Sequence, residues 1–534
     1  MNNLNRIIIF ALFHMCACQE YIVEIDQGRL SGAAGYDRYG GIYYSFLSIP
    51  YAKPPVGELR FKEPQPADSW SGILDATVDL PQCSQFGVDN EDCLYLNVHT
   101  PQAPSDSYDD LMDVLVFIHG GGFNAGDGRK SSVGPEFLMP ENVVLVSINY
   151  RLGIFGSFNL DDASLGYPGN LLMKDQVLAL KWVQSNIAKF GGNPDSVTIS
   201  GQSAGGASVH YLILSPLATG LFHKAIIQSA TAISPFSIGL PNNGIFLAEV
   251  LDITTTNATE MLNELHSRSV SEINEAQRTV GSMVFSNSWG SIAFPIVEQE
   301  MEGQSVFLPD EPLSMIQQGT YNHVPMLIGY TSIDGAVFTL LDPEGIFQFP
   351  SDLGIEIWSQ EAVDLLNRMH EFYVKSEFFE HPLIQQYTDV YFGYPAYRTA
   401  REHKRTTNSS IHFYRFSADT ELNFVKPILG FSDVEGALHG DELSYIFNTT
   451  YHSSFPIQSG SVEDLAIDRV VKLWTNFAKH ADPTPDDSST NSEWSPLTDD
   501  AFNYVDIGSI ETVLGVDPDS RSMQFWNEIY SEVF

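Results

Sequence analysis

The pentapeptide Gly201-Gln202-Ser203-Ala204-Gly205 directly follows the apolar run Val197-Thr198-Ile199-Ser200. This G-x-S-x-G spacing is that of a strand-to-helix turn that exposes a serine hydroxyl. Glycines two before and two after the serine remove Cβ atoms that would collide in so cramped a turn. The same pentapeptide also occurs in ordinary glycine turns, so its surroundings decide. Here a strand-like run precedes it, and Ala207-Ser208-Val209-His210-Tyr211-Leu212 follows as the start of a helix. Ser203 is therefore the candidate nucleophile.

A serine hydroxyl is a weak nucleophile at neutral pH and needs a base within hydrogen-bond reach, itself oriented by an acid. Doubly wound hydrolases supply these in the chain order serine, acid, histidine, from loops at the carboxyl ends of strands. One such loop, Tyr330-Thr331-Ser332-Ile333-Asp334-Gly335, follows the run Met326-Leu327-Ile328-Gly329 and makes Asp334 the candidate acid. An aspartate before a glycine is also a common turn pair, so order carries the assignment. Beyond the strand ending at Phe416 comes Gly436-Ala437-Leu438-His439-Gly440-Asp441-Glu442, and His439 is the base expected from 14 histidines. A fourth element, His119-Gly120-Gly121-Gly122-Phe123, follows the strand Val114–Ile118. Consecutive glycines free backbone N–H groups to face a developing oxyanion, and Gly121, Gly122 and Ala204 are the expected donors. Each would contribute on the order of 2.7–4 kcal/mol to the transition state. A phosphate loop would need a lysine followed by serine or threonine directly after its glycine, and none directly follows these glycines.

The elements that must hold these residues read as an alternation of apolar strands and helical stripes, which predicts an α/β fold with a largely parallel sheet. The clearest strands are 114–118, 143–148, 197–200, 225–228, 326–329 and 411–416. Val177, Leu180, Val183 and Ile187 recur at helical spacing as a core stripe, with Lys174, Lys181 and Gln184 off it. No repeat or long linker divides the chain, and the polar stretch 482–490 reads as a surface loop. One domain over residues 19–534 is expected.

Residues 1–18 read as a secretory signal, with Arg6 before the apolar run Ile7–Phe13 and small residues at Cys16-Ala17-Cys18. Neither a retention tetrapeptide nor an anchor-type tail stands at the end of the sequence, so an extracellular protein without a membrane anchor is expected. Cleavage after Cys18 leaves Cys83 and Cys93, which in an oxidising compartment read as one disulfide closing a short loop. Two cysteines are too few for a structural zinc site, and no metal or cofactor motif stands elsewhere. Asn257, Asn408 and Asn448 head glycosylation sequons. With 27 Lys+Arg against 67 Asp+Glu, the net charge of −40 repels nucleic acid and anionic membrane. A small-molecule ester is the expected partner, and the oligomeric state is left open.

Taken together, these residues resemble the type-B carboxylesterases, the cholinesterase/carboxylesterase family of the α/β-hydrolase fold. The resemblance extends to Glu91-Asp92-Cys93-Leu94-Tyr95-Leu96-Asn97, Asn149-Tyr150-Arg151-Leu152-Gly153, Asp175-Gln176 and Phe190-Gly191-Gly192-Asn193-Pro194. It implies a Ser203–His439–Asp334 triad and a Cys83–Cys93 disulfide. The departures are specific: Asp334 stands where most members carry glutamate, Gln202 where cholinesterases carry glutamate, and Ser291 and Ala293 where they narrow the acyl pocket with phenylalanine. Val337 replaces an aromatic of their choline site, leaving Phe338, so uncharged esters are expected over choline esters. Gln202 is also a feature of juvenile hormone esterases, which makes a methyl-ester hydrolase of that kind one alternative. Neuroligin-like adhesion proteins, which keep the fold without the chemistry, are the other.

Overall fold

A computed structural model describes residues 21–79, 82–105, 107–160, 165–237, 239–255, 257–285, 293–299, 305–340, 342, 353–356, 359–486 and 493–533. The signal segment, Ser291 and the end of the 482–490 loop lie outside these residues.

Five consecutive residues of Val114–Ile118 and all five of Val144–Ile148 are buried. Runs buried on both faces belong in the interior of a parallel sheet. The described strands are β1 (Tyr21–Ile25), β2 (Gly28–Tyr36), β3 (Ile42–Pro50), β4 (Ile73–Asp75), β5 (Tyr95–Thr100), β6 (Met112–Ile118) and β7 (Val144–Ile148). They continue with β8 (Gly192–Gln202), β9 (Lys224–Gln228), β10 (Met326–Thr331), β11 (Ile411–Phe416), β12 (Asn503–Ile507) and β13 (Thr512–Val516). Among the described residues they form one 13-stranded sheet in the order β1-β2-β3-β5-β7-β6-β8-β9-β10-β11-β12-β13, with β4 beside β2. From β7 to β12 every neighbouring pair is parallel, while the margins pair antiparallel except for the short parallel pair of β2 with β4.

Alternation along each central strand divides the core between two faces. Val114, Val116 and Ile118 pack with the helices Leu171–Asn186 and Ala204–Leu214. Leu115 and Phe117 point the other way, toward Val470, Trp474 and Phe477 of the helix Val462–His480. The expected stripe Val177, Leu180, Val183 and Ile187 is buried. Lys174 is a correction. Expected off the stripe, it is only 5% exposed, because its ammonium lies 2.8 Å from Glu63 and 3.1 Å from the buried Glu298. A paired charge can enter a core that rejects an unpaired one.

The strand order brings four carboxyl ends to one edge of the sheet, with β9 between β8 and β10: β6 ends before His119, β8 before Ser203, β10 before the Asp334 turn, and β11 before the segment leading to His439. A crevice at the carboxyl ends of such strands is where an open α/β sheet binds ligands. The Cys83–Cys93 disulfide is formed and closes a ten-residue separation. Among the described residues, no helix is long and apolar enough to cross a membrane.

Candidate active site

Ser203 occupies the one-residue turn between β8 and the helix Ala204–Leu214, with φ 60° and ψ −128°. A non-glycine residue at positive φ is strained and persists only when its surroundings enforce it. Here the Ser203 N–H donates to Gln228 O of β9 at 2.9 Å, and the glycines allow the turn to close. A Cβ on Gly201 would lie 2.3 Å from Gly205 O, and one on Gly205 2.1 Å from Ile118 O. The helix therefore begins at Ala204, three residues earlier than the sequence pattern indicates.

Asp334 and His439, 105 residues apart, meet through a zipper of their two loops. Ile333 and Leu438 form a parallel bridge, Ile333 N–H donates to Ala437 O at 3.0 Å, and Ala437 N–H donates to Ser332 Oγ at 2.9 Å. Asp334 is fully buried. One carboxylate oxygen accepts from Thr331 N–H at 2.9 Å, and the other lies 2.5 Å from His439 Nδ1. With Nδ1–H donated to the carboxylate, Nε2 is an acceptor. It lies 3.3 Å from the amide nitrogen of Gln202, the residue before Ser203. Among the described residues, the Ser203 hydroxyl makes no hydrogen bond to His439. The structure thus joins Asp334 to His439 directly and brings the imidazole to the elbow through Gln202.

The glycine loop packs onto the same turn. A Cβ on Gly120 would lie 2.6 Å from Gln202 O and 2.9 Å from Ser203 Cβ. The loop bonds to itself through carbonyls: Asn124 and Ala125 N–H both donate to Gly121 O at 3.0 Å, and the Asn124 amide donates to Gly122 O at 2.9 Å. Among the described residues, the N–H groups of Gly121 and Gly122 donate to nothing in the loop. Tyr150 holds the loop from beneath, stacking on His119 at 4.4 Å and donating its hydroxyl to His119 O at 2.7 Å.

Three features of this region emerge only from the packing. Phe392, on the turn Asp389–Gly393, lies 4.8 Å from His439 and continues into an aromatic wall of Phe236, Phe338 and Tyr391. Ala293 is buried, and the neighbouring Phe294 reaches Phe123 of the glycine loop at 5.1 Å. Glu442 is buried three residues past His439, accepting from Gln228, whose own carbonyl holds Ser203 N–H. The Gly-x-x-His-x-x-Glu spacing is the signal that marks Glu442; the wall has none.

Burial pushes the Glu442 carboxyl up to about 8, with the Asp334 charge acting the same way, and burial pushes Asp441 up to about 7. The folded chain therefore holds two protons that the unfolded chain releases near the ordinary values of 4.5 and 3.8. Stability from this source is full below those values, falls as pH rises toward the folded ones, and is absent above about 8. The thermal midpoint should fall between about pH 5 and about pH 8, and Glu442→Gln should flatten that fall. Equal slopes for both proteins in thermal unfolding would refute it.

A mostly parallel, helix-flanked sheet with a half-buried serine elbow at its carboxyl edge is the architecture of the α/β-hydrolases. The family model that matches residues 19–526 is that of the carboxylesterase family. Juvenile hormone esterase of Heliothis virescens is 31% identical, over 93% of both chains. Esterase E4 of Myzus persicae is 33% identical, over 95% of both. The crystal structure of juvenile hormone esterase from Manduca sexta superposes with a TM-score of 0.85 at 32% identity, over 96% of this chain and 100% of that one. This chain belongs to the carboxylesterase family and is a carboxylic ester hydrolase with the α/β-hydrolase fold.

Proposed function

We propose that the chain hydrolyses uncharged carboxyl esters through an acyl-enzyme on Ser203. His439 Nε2 takes the hydroxyl proton as Ser203 Oγ bonds to the ester carbonyl carbon. Asp334 stabilises the imidazolium, and the N–H groups of Gly121, Gly122 and Ala204 hold the oxyanion. Collapse expels the alcohol, which takes the proton from His439. Water then repeats the sequence on the acyl-enzyme and releases the acid. The observation that carries this reading is the bond between the buried Asp334 and His439, delivered by two zippered loops to the residue preceding Ser203. The aromatic wall against His439 suits an apolar group on the substrate, and the uncharged Gln202 beside its Nε2, with Val337 in place of an aromatic of the choline site, supports uncharged esters over choline esters.

Mixing the enzyme with excess p-nitrophenyl ester tests the mechanism. A burst of p-nitrophenol matching the enzyme concentration, followed by slower turnover, is expected. No burst on any ester, together with no trapped acyl adduct, would overturn it. A narrower reading, a methyl-ester hydrolase resembling the juvenile hormone esterases, draws on Gln202 and on two of the relatives above. Asp334 and Gly206 fit that group less well. The narrower reading predicts a higher kcat/KM on a long apolar methyl ester than on short acyl esters.

In this reading residues 1–18 are a cleaved signal, residues 19–534 are one domain, and the mature protein is extracellular. Asn257 and Asn408 are exposed and Asn448 partly so. Asn257 caps its helix through Oδ1, accepting from Glu260 N–H, which leaves Nδ2 to carry a glycan.

A further inference from the structure

The far end of the glycine loop is held by a residue from a different part of the chain. Gln85, inside the loop closed by Cys83–Cys93, is 7% exposed. Its amide grips both backbone groups of Gly126: Oε1 accepts from Gly126 N–H at 3.0 Å, and Nε2 donates to Gly126 O at 3.0 Å. The same Nε2 donates to Cys83 O at 3.1 Å, and the Gln85 backbone pairs in both directions with Val88 at 3.1 and 2.9 Å. A second brace runs alongside, from the Gln82 amide to Asp127 Oδ2 at 2.5 Å.

Gly126 folds back on the start of its own loop, since a Cβ there would lie 2.4 Å from His119 Nδ1 and 2.7 Å from Gly120 O. The segment between these two points contains Gly121 and Gly122, residues at positive φ with no side chain to fix their peptide planes. Their orientation depends on the loop's own bonds to Gly121 O and Gly122 O and on the anchoring of its two ends. Tyr150 holds the first end through His119 O, and Gln85 holds the second through Gly126.

We propose that Gln85 is a positioning residue for the oxyanion hole, and that the Cys83–Cys93 loop exists in this enzyme as the rigid mount from which it acts. The inference rests on Gly121 and Gly122 being oxyanion donors. Gln85 touches neither the ester nor Ser203. It sets the direction of N–H groups that engage most strongly in the transition state, so its loss falls on the chemical step. A misplacement of about 1 Å in such a site costs on the order of 10²-fold in rate.

The test uses the full chain with Gln85→Ala and with Gln85→Met, which keeps length and apolar stem but offers no hydrogen bonds. Phe86→Ala is the control, because Phe86 is the next residue in the same loop and is 81% exposed. The measurements are kcat and KM on a p-nitrophenyl ester, the thermal midpoint, and inhibition by two compounds. One is a trifluoromethyl ketone, whose serine adduct carries an oxyanion; the other is the matching alcohol, which forms none. The expected result is a fall in kcat on the order of 10²-fold at unchanged KM for either folded Gln85 variant. The ketone should weaken by the same factor as kcat/KM, the alcohol should bind as before, and Phe86→Ala should match wild type. Wild-type kcat in a Gln85 variant overturns the inference, as does a lower kcat with undiminished ketone binding. If Ser203→Ala keeps its turnover, the underlying site assignment fails instead. If Ser203→Ala is inactive while the Gln85 variants are unimpaired, only this inference fails.

Discussion

Replacing Ser203 by alanine is expected to lower kcat on a p-nitrophenyl ester by about 10⁵–10⁶-fold, the scale on which loss of a serine nucleophile acts. The fold should survive. Alanine keeps the Cβ that already sits at φ 60°, and the bond from residue 203 N–H to Gln228 O involves backbone alone. Only the attacking oxygen disappears. A thermal midpoint within a few degrees of wild type, together with near-complete loss of turnover, is the outcome the site requires. Substantial residual hydrolysis would place the nucleophile elsewhere.

Asp334→Asn should cost about 10⁴-fold in kcat, as the equivalent change does in a serine protease. The geometry gives the reason. Thr331 N–H already claims an acceptor on this side chain at 2.9 Å, so the asparagine turns its carbonyl there and its NH₂ toward His439 Nδ1. The imidazole must then carry its proton on Nε2, where it cannot take one from Ser203. Asp334→Glu keeps the charge but forces an extra methylene into a fully buried gap fixed by the Ile333–Leu438 bridge. Its turnover should lie between wild type and the asparagine variant. Turnover of all three on one ester decides the matter, and near-wild-type activity in Asp334→Asn would mean that the acid lies elsewhere.

Six of the central strands were legible because each carries a short, largely apolar run, and β11 spans 411–416 as expected, while β8 begins at Gly192, ahead of its run at 197, and β12 was not read. The antiparallel margins were not. β1 and β2 mix buried and exposed residues, β2 carries three glycines, and β13 is mostly exposed. Such strands are defined by their partners more than by their own composition. Ser203, Asp334 and His439 stand out as candidates because a serine hydrolase needs these residue types, in this chain order, in loops after strands. Gln85 does not, because its role arises only when a loop 41 positions away folds back beneath it. The buried Lys174 escaped notice for the same reason, its partners Glu63 and Glu298 lying 111 and 124 positions distant.

The most direct test of the account is to treat the folded enzyme with an organophosphate, digest it, and locate the label by mass spectrometry. Only a serine whose hydroxyl is deprotonated on attack and whose adduct is held by an oxyanion hole reacts rapidly with such reagents. One label per chain is expected, on the peptide carrying Ser203, with activity lost in proportion and no label in Ser203→Ala. A stoichiometric label on any other residue, or full activity after Ser203 is labelled, would contradict it.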